Sequence, residues 1–249
     1  MEKCVNLFNE NAFAVMSRMD DGSVDMLFTD PPYGTTRNRW DIAVDADAFW
    51  NEARRIVKPN GAIVIWSQPP FTYKIVYPAF SIFRYEWIIE KTKATGFLNA
   101  KKMPLKAHEN VLVFYERLPT FYPQKTAGHP PVHAYTKHSS DGTCYGRTKA
   151  GISGGGSTER YPRDILKFSW DTQKESLHPT QKPVAACEYF IKTYTDKGDV
   201  VFDPFMGSGS IGVAALNLGR YFVGTELDPR IFASAKRRIE KYQEQLARG

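Results

Sequence analysis

Val200 to Glu226 reads VVFDPFMGSGSIGVAALNLGRYFVGTE, and its punctuation decides the fold. Val200 to Phe202 is a short apolar strand, broken by Asp203-Pro204-Phe205-Met206-Gly207-Ser208-Gly209-Ser210. Ile211 to Leu218 has the small and apolar residues of a packed helix, and Gly219 stops it. Tyr221 to Thr225 is a second strand that ends in Glu226. Strand, glycine turn, helix, strand and acid make one unit of a nucleotide-type α/β sheet.

The chemistry of that unit follows from its side chains. Glycines let the backbone approach a ligand without a Cβ collision, and an acid at the end of the second strand suits the two hydroxyls of an unphosphorylated ribose. No Gly-Lys-Ser/Thr follows, so this is not a Walker phosphate loop. It also departs from the dinucleotide pattern: Gly212 stands three places after Gly209, but Asp203 and Phe205 precede Gly207. On the glycines alone, a tight strand-to-helix turn with no ligand stays open. Asp203 tips the balance, because a carboxylate there repels phosphates and attracts an ammonium or sulfonium group. That points to S-adenosylmethionine rather than NAD.

Working outward, Pro229 to Gln245 is a charged amphipathic helix, and Pro183 to Thr193 is a helix with proline in its first turn. Towards the start, Cys4 to Phe8 reads as a strand and Ala12 to Met19 as a helix capped by Asn11. Val24 to Thr29 is a strand that must stop at Asp30-Pro31-Pro32-Tyr33-Gly34, since proline cannot donate to a ladder. Asp47 to Val57 has helical spacing and ends at Lys58-Pro59-Asn60-Gly61, a stop signal. Ala62 to Trp66, Tyr85 to Glu90 and Val111 to Tyr115 are further strands, with Lys91 to Glu109 a polar, Lys-rich connection. Alternating strands and helices predict an α/β domain with a mostly parallel sheet covered by helices on both faces.

The chain has 249 residues, enough for one or two domains, and 42% hydrophobic residues, which excludes a disordered chain. No apolar run approaches the ~20 residues of a membrane-spanning helix, and the first residues lack a secretory pattern. Cys4, Cys144 and Cys187 are far apart, which favours a reducing, cytoplasmic setting. The net charge is +6, and Arg117 to Lys167 holds most of the excess, with eight Lys/Arg against three acids. Regular patterning vanishes there, and long irregular segments in compact domains are usually functional. The sequence therefore divides into 1–116, an irregular basic insertion at 117–167, and 168–249 as the second half of the first domain. His129, His133, His138 and Cys144 invite a zinc reading, but they form no paired CxxC or compact His-Cys box, so no metal is expected.

Asp30 to Tyr33 sets a carboxylate, a proline-stiffened backbone and an aromatic ring at the mouth of the sheet, where such folds bind ligands. An ordinary turn is the plainer reading of two prolines beside an Asp. The chemical reading is richer. The exocyclic amine of adenine or cytosine is a poor nucleophile because its lone pair is conjugated with the ring. A carboxylate and a backbone carbonyl that accept its two N–H bonds free that lone pair, while Tyr33 stacks on a base drawn out of the duplex.

Four stretches together resemble the β-class DNA amino-methyltransferases, which act on adenine N6 or cytosine N4 with S-adenosylmethionine. They are Ser23-Val24-Asp25 leading into Asp30-Pro31-Pro32-Tyr33; His178-Pro179-Thr180-Gln181-Lys182-Pro183; Asp203 to Ser210; and Glu226-Leu227. The catalytic motif precedes the cofactor motif, as in that class. The resemblance implies a circularly permuted Rossmann-like methyltransferase fold with a seven-stranded sheet. It implies that Asp30, Pro31, Pro32 and Tyr33 form the base pocket, with Asp30 also beside the cofactor. Asp203, Phe205, Gly207, Ser208, Gly209 and Ser210 would hold the methionine end, and Glu226 with Leu227 the ribose. Lys182 would lie in the segment packed over the cofactor, although a lysine at a helix start is as readily a solvated residue. Asn11 stands where the class usually has an Asp touching the cofactor adenine.

Asp at the head of the catalytic motif is similar to the adenine N6 enzymes, cytosine N4 being the alternative; an RNA or protein-amide methyltransferase is a more distant one. Cytosine C5 chemistry lacks its Pro-Cys nucleophile, since the cysteines follow Lys3, Thr143 and Ala186. The expected partner is double-stranded DNA, held by Lys125, Lys137, Arg147, Lys149, Arg160 and Arg163 of the insertion and by Arg37 and Arg39 beyond the catalytic turn. Lys91, Lys93, Lys101 and Lys102 make a second basic loop that would close over DNA. The resemblance leaves room for a homodimer and for a separate restriction endonuclease.

Overall fold

The computed structural model describes residues 5–35, 43–136, 151–169 and 181–248. Its elements are β1 (Val5–Phe8), α1 (Ala12–Met16), β2 (Val24–Thr29), α2 (Ala46–Ile56), β3 (Val57–Ser67), α3 (Phe71–Val76), β4 (Phe83–Thr95) and β5 (Lys106–Phe114). After these come β6 (Tyr135–Thr136), β7 (Ser153–Gly154), β8 (Ile165–Lys167), α4 (Val184–Tyr194), β9 (Val200–Asp203), α5 (Ser210–Asn217), β10 (Tyr221–Thr225) and α6 (Pro229–Arg248). The main sheet runs β1-β10-β9-β2-β3-β5-β4-β8. Pairing is parallel from β1 through β3 and antiparallel on both sides of β5.

Alternate residues of the central strands enter opposite cores. Met26, Phe28, Val64, Trp66 and Val113 pack on the face covered by α4, α5 and α6. Leu27, Ile63, Ile65, Leu112 and Phe114 pack on the other, against Phe49, Trp50 and Ile56 of α2 and Phe71 and Ile75 of α3. Burial on both faces explains why these strands read as continuous apolar runs. Asn11 caps α1 as expected, its side chain accepting from the Phe13 N–H; α2 begins at Ala46, one residue before the expected start, and the side chain of Asp45 caps it by accepting from the Ala48 N–H.

Several expectations need correction. The sheet has eight strands, not seven, because Ile165–Lys167 adds an edge strand parallel to β4. Lys58-Pro59-Asn60-Gly61 is no break between elements but an irregularity within β3, where the register slips between Val24↔Val57 and Met26↔Ala62. It is held there by the ion pair of Lys58 with Asp25 and by the Arg117 N–H donating to the Pro59 carbonyl, 3.0 Å. Lys91 to Glu109 is not a loop: β4 and β5 run on as a hairpin through Thr95↔Lys106, leaving 96–105 as its tip. Helix α3 and the 3-10 turn Tyr77–Ile82 carried no sequence reading, α1 ends at Met16, and Pro183 caps α4 from outside.

Pro123–Arg163 forms a compact unit distinct from the rest. Within it β6 and β7 pair antiparallel, and Thr126 bridges Arg160. Arg160 donates to the carbonyls of Ser157, Glu159 and Pro130, and Lys125 pairs with Glu159 at 3.0 Å while lying over the Tyr161 ring. Side chains rather than long elements hold this unit together.

Candidate active site

Strands β2 and β9 are parallel neighbours, with Leu27 opposite Phe202, so their carboxyl ends deliver Asp30 and Asp203 to the same end of the sheet. A cavity of about 1470 Å³ opens there, lined by Asp30, Tyr33, Lys182, Asp203, Gly207 and Glu226 among others. Cavities for one drug-sized ligand span ~300–1,000 Å³, so this one has room for two ligands side by side.

One half of the cavity is built by the glycine turn. Asp203 is 1% exposed, and its Oδ1 accepts from Thr29 Oγ1 at 2.7 Å and the Phe205 N–H at 3.1 Å. Burial outweighs these bonds, and Asp30 and Glu226 add repulsion, so the carboxyl is pushed up to about 7. Such an acid gains from a cationic neighbour. Gly207 and Gly209 adopt φ of +49° and +76°, which side-chain-bearing residues rarely do. The Gly207 N–H donates to Glu226 Oε2 at 3.1 Å and the Asp228 N–H to Oε1 at 2.9 Å, fixing the carboxylate with lone pairs to spare. Burial raises Glu226 above the ordinary carboxylate range. Ser208 and Ser210 are buried, and Arg238 of α6 donates to the Ser208 carbonyl (3.0 Å) and Ser210 Oγ (3.2 Å). Phe205, Asn11 and Leu227 also line the cavity, Leu227 remaining 66% exposed.

The other half is the Asp-Pro-Pro-Tyr turn. Tyr33 donates its hydroxyl to Asp30 Oδ1 and stacks on Phe71, ring centroids 5.0 Å apart at 28°. Asp30 Oδ2 pairs with Lys182 Nζ at 2.8 Å. Lys182 is buried, not solvated; its ammonium lies 5.1 Å from the centre of the Trp66 ring and 3.1 Å from Glu109 Oε2. Glu109 Oε1 in turn meets Lys91 Nζ at 2.8 Å. Burial alone would discharge both groups, yet Asp30 and Glu109 together hold Lys182 above the usual lysine range. Lys182 and Lys91 likewise hold Glu109 below the usual carboxylate range despite its burial. Lys91 is therefore a cavity-wall residue on β4, not the loop cation expected of it; Lys93 also lines the cavity but is exposed, as are Lys101 and Lys102 at the hairpin. Glu109 and Arg238 escaped the sequence reading; Glu109 stands two residues ahead of the apolar run Val111–Phe114, in a stretch with the composition of a polar connection.

The family pattern described as DNA methylase, of the N6/N4 group, matches residues 24–237. The chain belongs to the N6/N4 DNA methylases. This methylase is 26% identical over 251 residues to the type II methyltransferase M.HpaI of Haemophilus parainfluenzae, covering 94% of this chain and 74% of that protein. It is 25% identical over 252 residues to the DNA adenine methyltransferase YhdJ of Escherichia coli K12, covering 94% and 82%. Among solved structures, the M1.HpyAVI–SAM complex superposes with a TM-score of 0.61 at 24% identity, covering 94% of this chain and 99% of that one. The cytosine-N4-specific PvuII DNA methyltransferase gives 0.66 at 14% identity, covering 96% and 90%. These two likenesses establish a shared Rossmann-like methyltransferase fold.

The expected DNA contacts are divided. Arg37, Arg39, Lys137, Arg147 and Lys149 lie outside the described residues, as do His178 to Thr180. In the Pro123–Arg163 unit Arg163 is exposed, whereas Arg160 and Lys125 are engaged in holding the unit's own loops. Among the described residues no cluster of His, Cys, Asp or Glu is placed to hold a metal ion, and no helix is long and apolar enough to cross a membrane.

Proposed function

We propose that this methylase transfers a methyl group from S-adenosylmethionine to N6 of an adenine flipped out of duplex DNA at a specific site. The observation that carries the reading is the meeting of Asp30 and Asp203 on one cavity large enough for cofactor and base. S-adenosylmethionine supplies an electrophilic methyl on a positively charged sulfur. The residues present fit it: Asp203 is a buried acid awaiting a cation, Gly207 and Ser208 of the turn line the cavity while Gly209 packs against Ile239 of α6, and Glu226 is oriented to accept from ribose hydroxyls. Phe205, Ser208, Ser210, Asn11 and Leu227 complete that half.

On the base side, Asp30 accepts an amine N–H and withdraws the lone pair from conjugation, and the carboxylate or water takes the proton that leaves. Lys182 pins the second oxygen of Asp30. Pro31 and Pro32 hold the turn in its working shape, so little ordering remains at reaction. Tyr33, backed by Phe71, offers a ring to the base.

Adenine is favoured by Asp at the head of the motif and by the adenine activity in the name of the relative YhdJ. For the duplex, we assign the Pro123–Arg163 unit to target recognition. The hairpin tip adds an apolar and cationic surface, with Phe97 and Leu98 80% and 100% exposed between Lys93 and Lys101. A cytoplasmic location accords with DNA as substrate. Digesting modified plasmid to nucleosides tests the reading: N6-methyladenine is expected, whereas N4-methylcytosine or an unmodified plasmid would overturn the adenine assignment or the DNA assignment respectively.

A further inference from the structure

Four charges run along one wall of the cavity: Asp30 to Lys182 at 2.8 Å, Lys182 to Glu109 at 3.1 Å, and Glu109 to Lys91 at 2.8 Å. The side chains of Lys182, Glu109 and Lys91 are each 8% exposed, so water screens them poorly. Two are cationic and two anionic, so the row sums to zero. Asp30 and Lys182 have duties at the base. Glu109 and Lys91 stand one and two steps further along, on β5 and β4, outside the motifs that identify the family. Gln68 Nε2 donates to Glu109 Oε1 at 3.3 Å and helps fix the carboxylate.

The need for this extension is electrostatic. Lys182 orients Asp30, but its ammonium also puts a positive charge on the wall of a cavity that must admit a cationic sulfonium. After transfer the sulfur is a neutral thioether, so donor and product differ by one methyl group and one unit of charge. We infer that Glu109 is a specificity-determining residue: by cancelling the Lys182 charge, it lets the cavity prefer the charged donor, S-adenosylmethionine, over its neutral product, S-adenosylhomocysteine. Lys91 holds Glu109 in its ionised state and limits that bias from the other side. The inference rests on the reading of the cavity as an S-adenosylmethionine site.

Removing one unit of charge from a poorly screened wall changes the interaction with a cation on the order of 10 Å away by about tenfold in affinity at an effective dielectric near 20. The test is the ratio of dissociation constants for S-adenosylmethionine and S-adenosylhomocysteine, measured by calorimetry for wild type, Glu109→Gln, Lys91→Met and the double variant. Glu109→Gln should lower the preference for the charged donor about tenfold, about 1.4 kcal/mol. Lys91→Met should raise it, and the double variant should return to within about twofold of wild type. Loss of packing alone would weaken both molecules equally, and an unchanged ratio in Glu109→Gln overturns the inference. If Glu109→Gln does not fold, Lys91→Met decides: a ratio that stays level or falls is fatal. Wild-type protein that binds neither molecule refutes the underlying cofactor reading instead, and the inference falls with it.

Discussion

With Asp203 facing the sulfonium as proposed, binding of S-adenosylmethionine should depend on pH. Its carboxyl is 1% exposed, stands at about 7 in the empty protein, and must be ionised to attract a cation. If only the ionised form binds, the apparent dissociation constant scales as 1 + 10^(pKa − pH). Binding is then about tenfold weaker near pH 6 than near pH 8, with close to one proton released per cofactor bound at the lower pH. The same shift acts on stability with the opposite preference. The folded chain holds this proton up to about 7, while an unfolded chain loses it near 3.8. Stability of the empty protein therefore falls as pH rises through that window, by on the order of 4 kcal/mol if the shift is fully expressed. Asp203→Asn, neutral at every pH, should melt higher than wild type near pH 8 and bind cofactor weakly with a flat pH profile. Calorimetry in two buffers of different ionisation enthalpy reads the proton count directly. A wild-type affinity unchanged between about pH 6 and 8, or an Asp203→Asn variant that keeps the slope, would refute this account.

Lys182→Met removes a cation that joins Asp30 to Glu109, leaving the buried Glu109 with Lys91 alone and the half-buried Asp30 without its ion pair; a loss of up to about 3 kcal/mol in a chemical-denaturation experiment is expected. Replacing Phe97 and Leu98 together by Ser should leave cofactor affinity alone but cut methylation of paired DNA, on the order of tenfold, with partial recovery when the target base is mismatched and leaves the stack more easily. Steady-state assays on matched and mismatched oligonucleotides would read that difference, and equal losses on both would count against a role at the duplex. Leu27→Ala, fully buried in the central strand, should cost about 2–5 kcal/mol in the same denaturation experiment without altering the donor-to-product binding ratio.

The sequence showed the ends of strands better than anything else. Asp30, Asp203 and Glu226 were legible because each follows an apolar run, and prolines or glycines mark where two of those runs stop. Lys182 was placed by its motif, but whether it was buried was not readable, since its partners Asp30 and Glu109 lie 152 and 73 positions away in the chain. The hairpin of β4 and β5 looked like a loop because its outer half projects beyond the core: Lys93, Thr95 and Lys106 are exposed, so no apolar alternation marks the strands. Edge strand β8 has three residues and pairs with β4 through backbone bonds that leave almost no side-chain pattern. The slip within β3 was hidden for a different reason: Lys58-Pro59-Asn60-Gly61 has the composition of a helix stop, and two nonlocal contacts, the Lys58–Asp25 pair and the Arg117 N–H on the Pro59 carbonyl, keep it within the strand.

The most direct test is single-turnover methyl transfer by wild type and Asp30→Ala on the same duplex, with cofactor affinity measured on the same samples. If the Asp30 carboxylate frees the adenine amine for attack, the variant should bind S-adenosylmethionine within a few-fold of wild type and transfer at least about a hundredfold more slowly. An Asp30→Ala protein that methylates adenine at the wild-type rate would contradict the account.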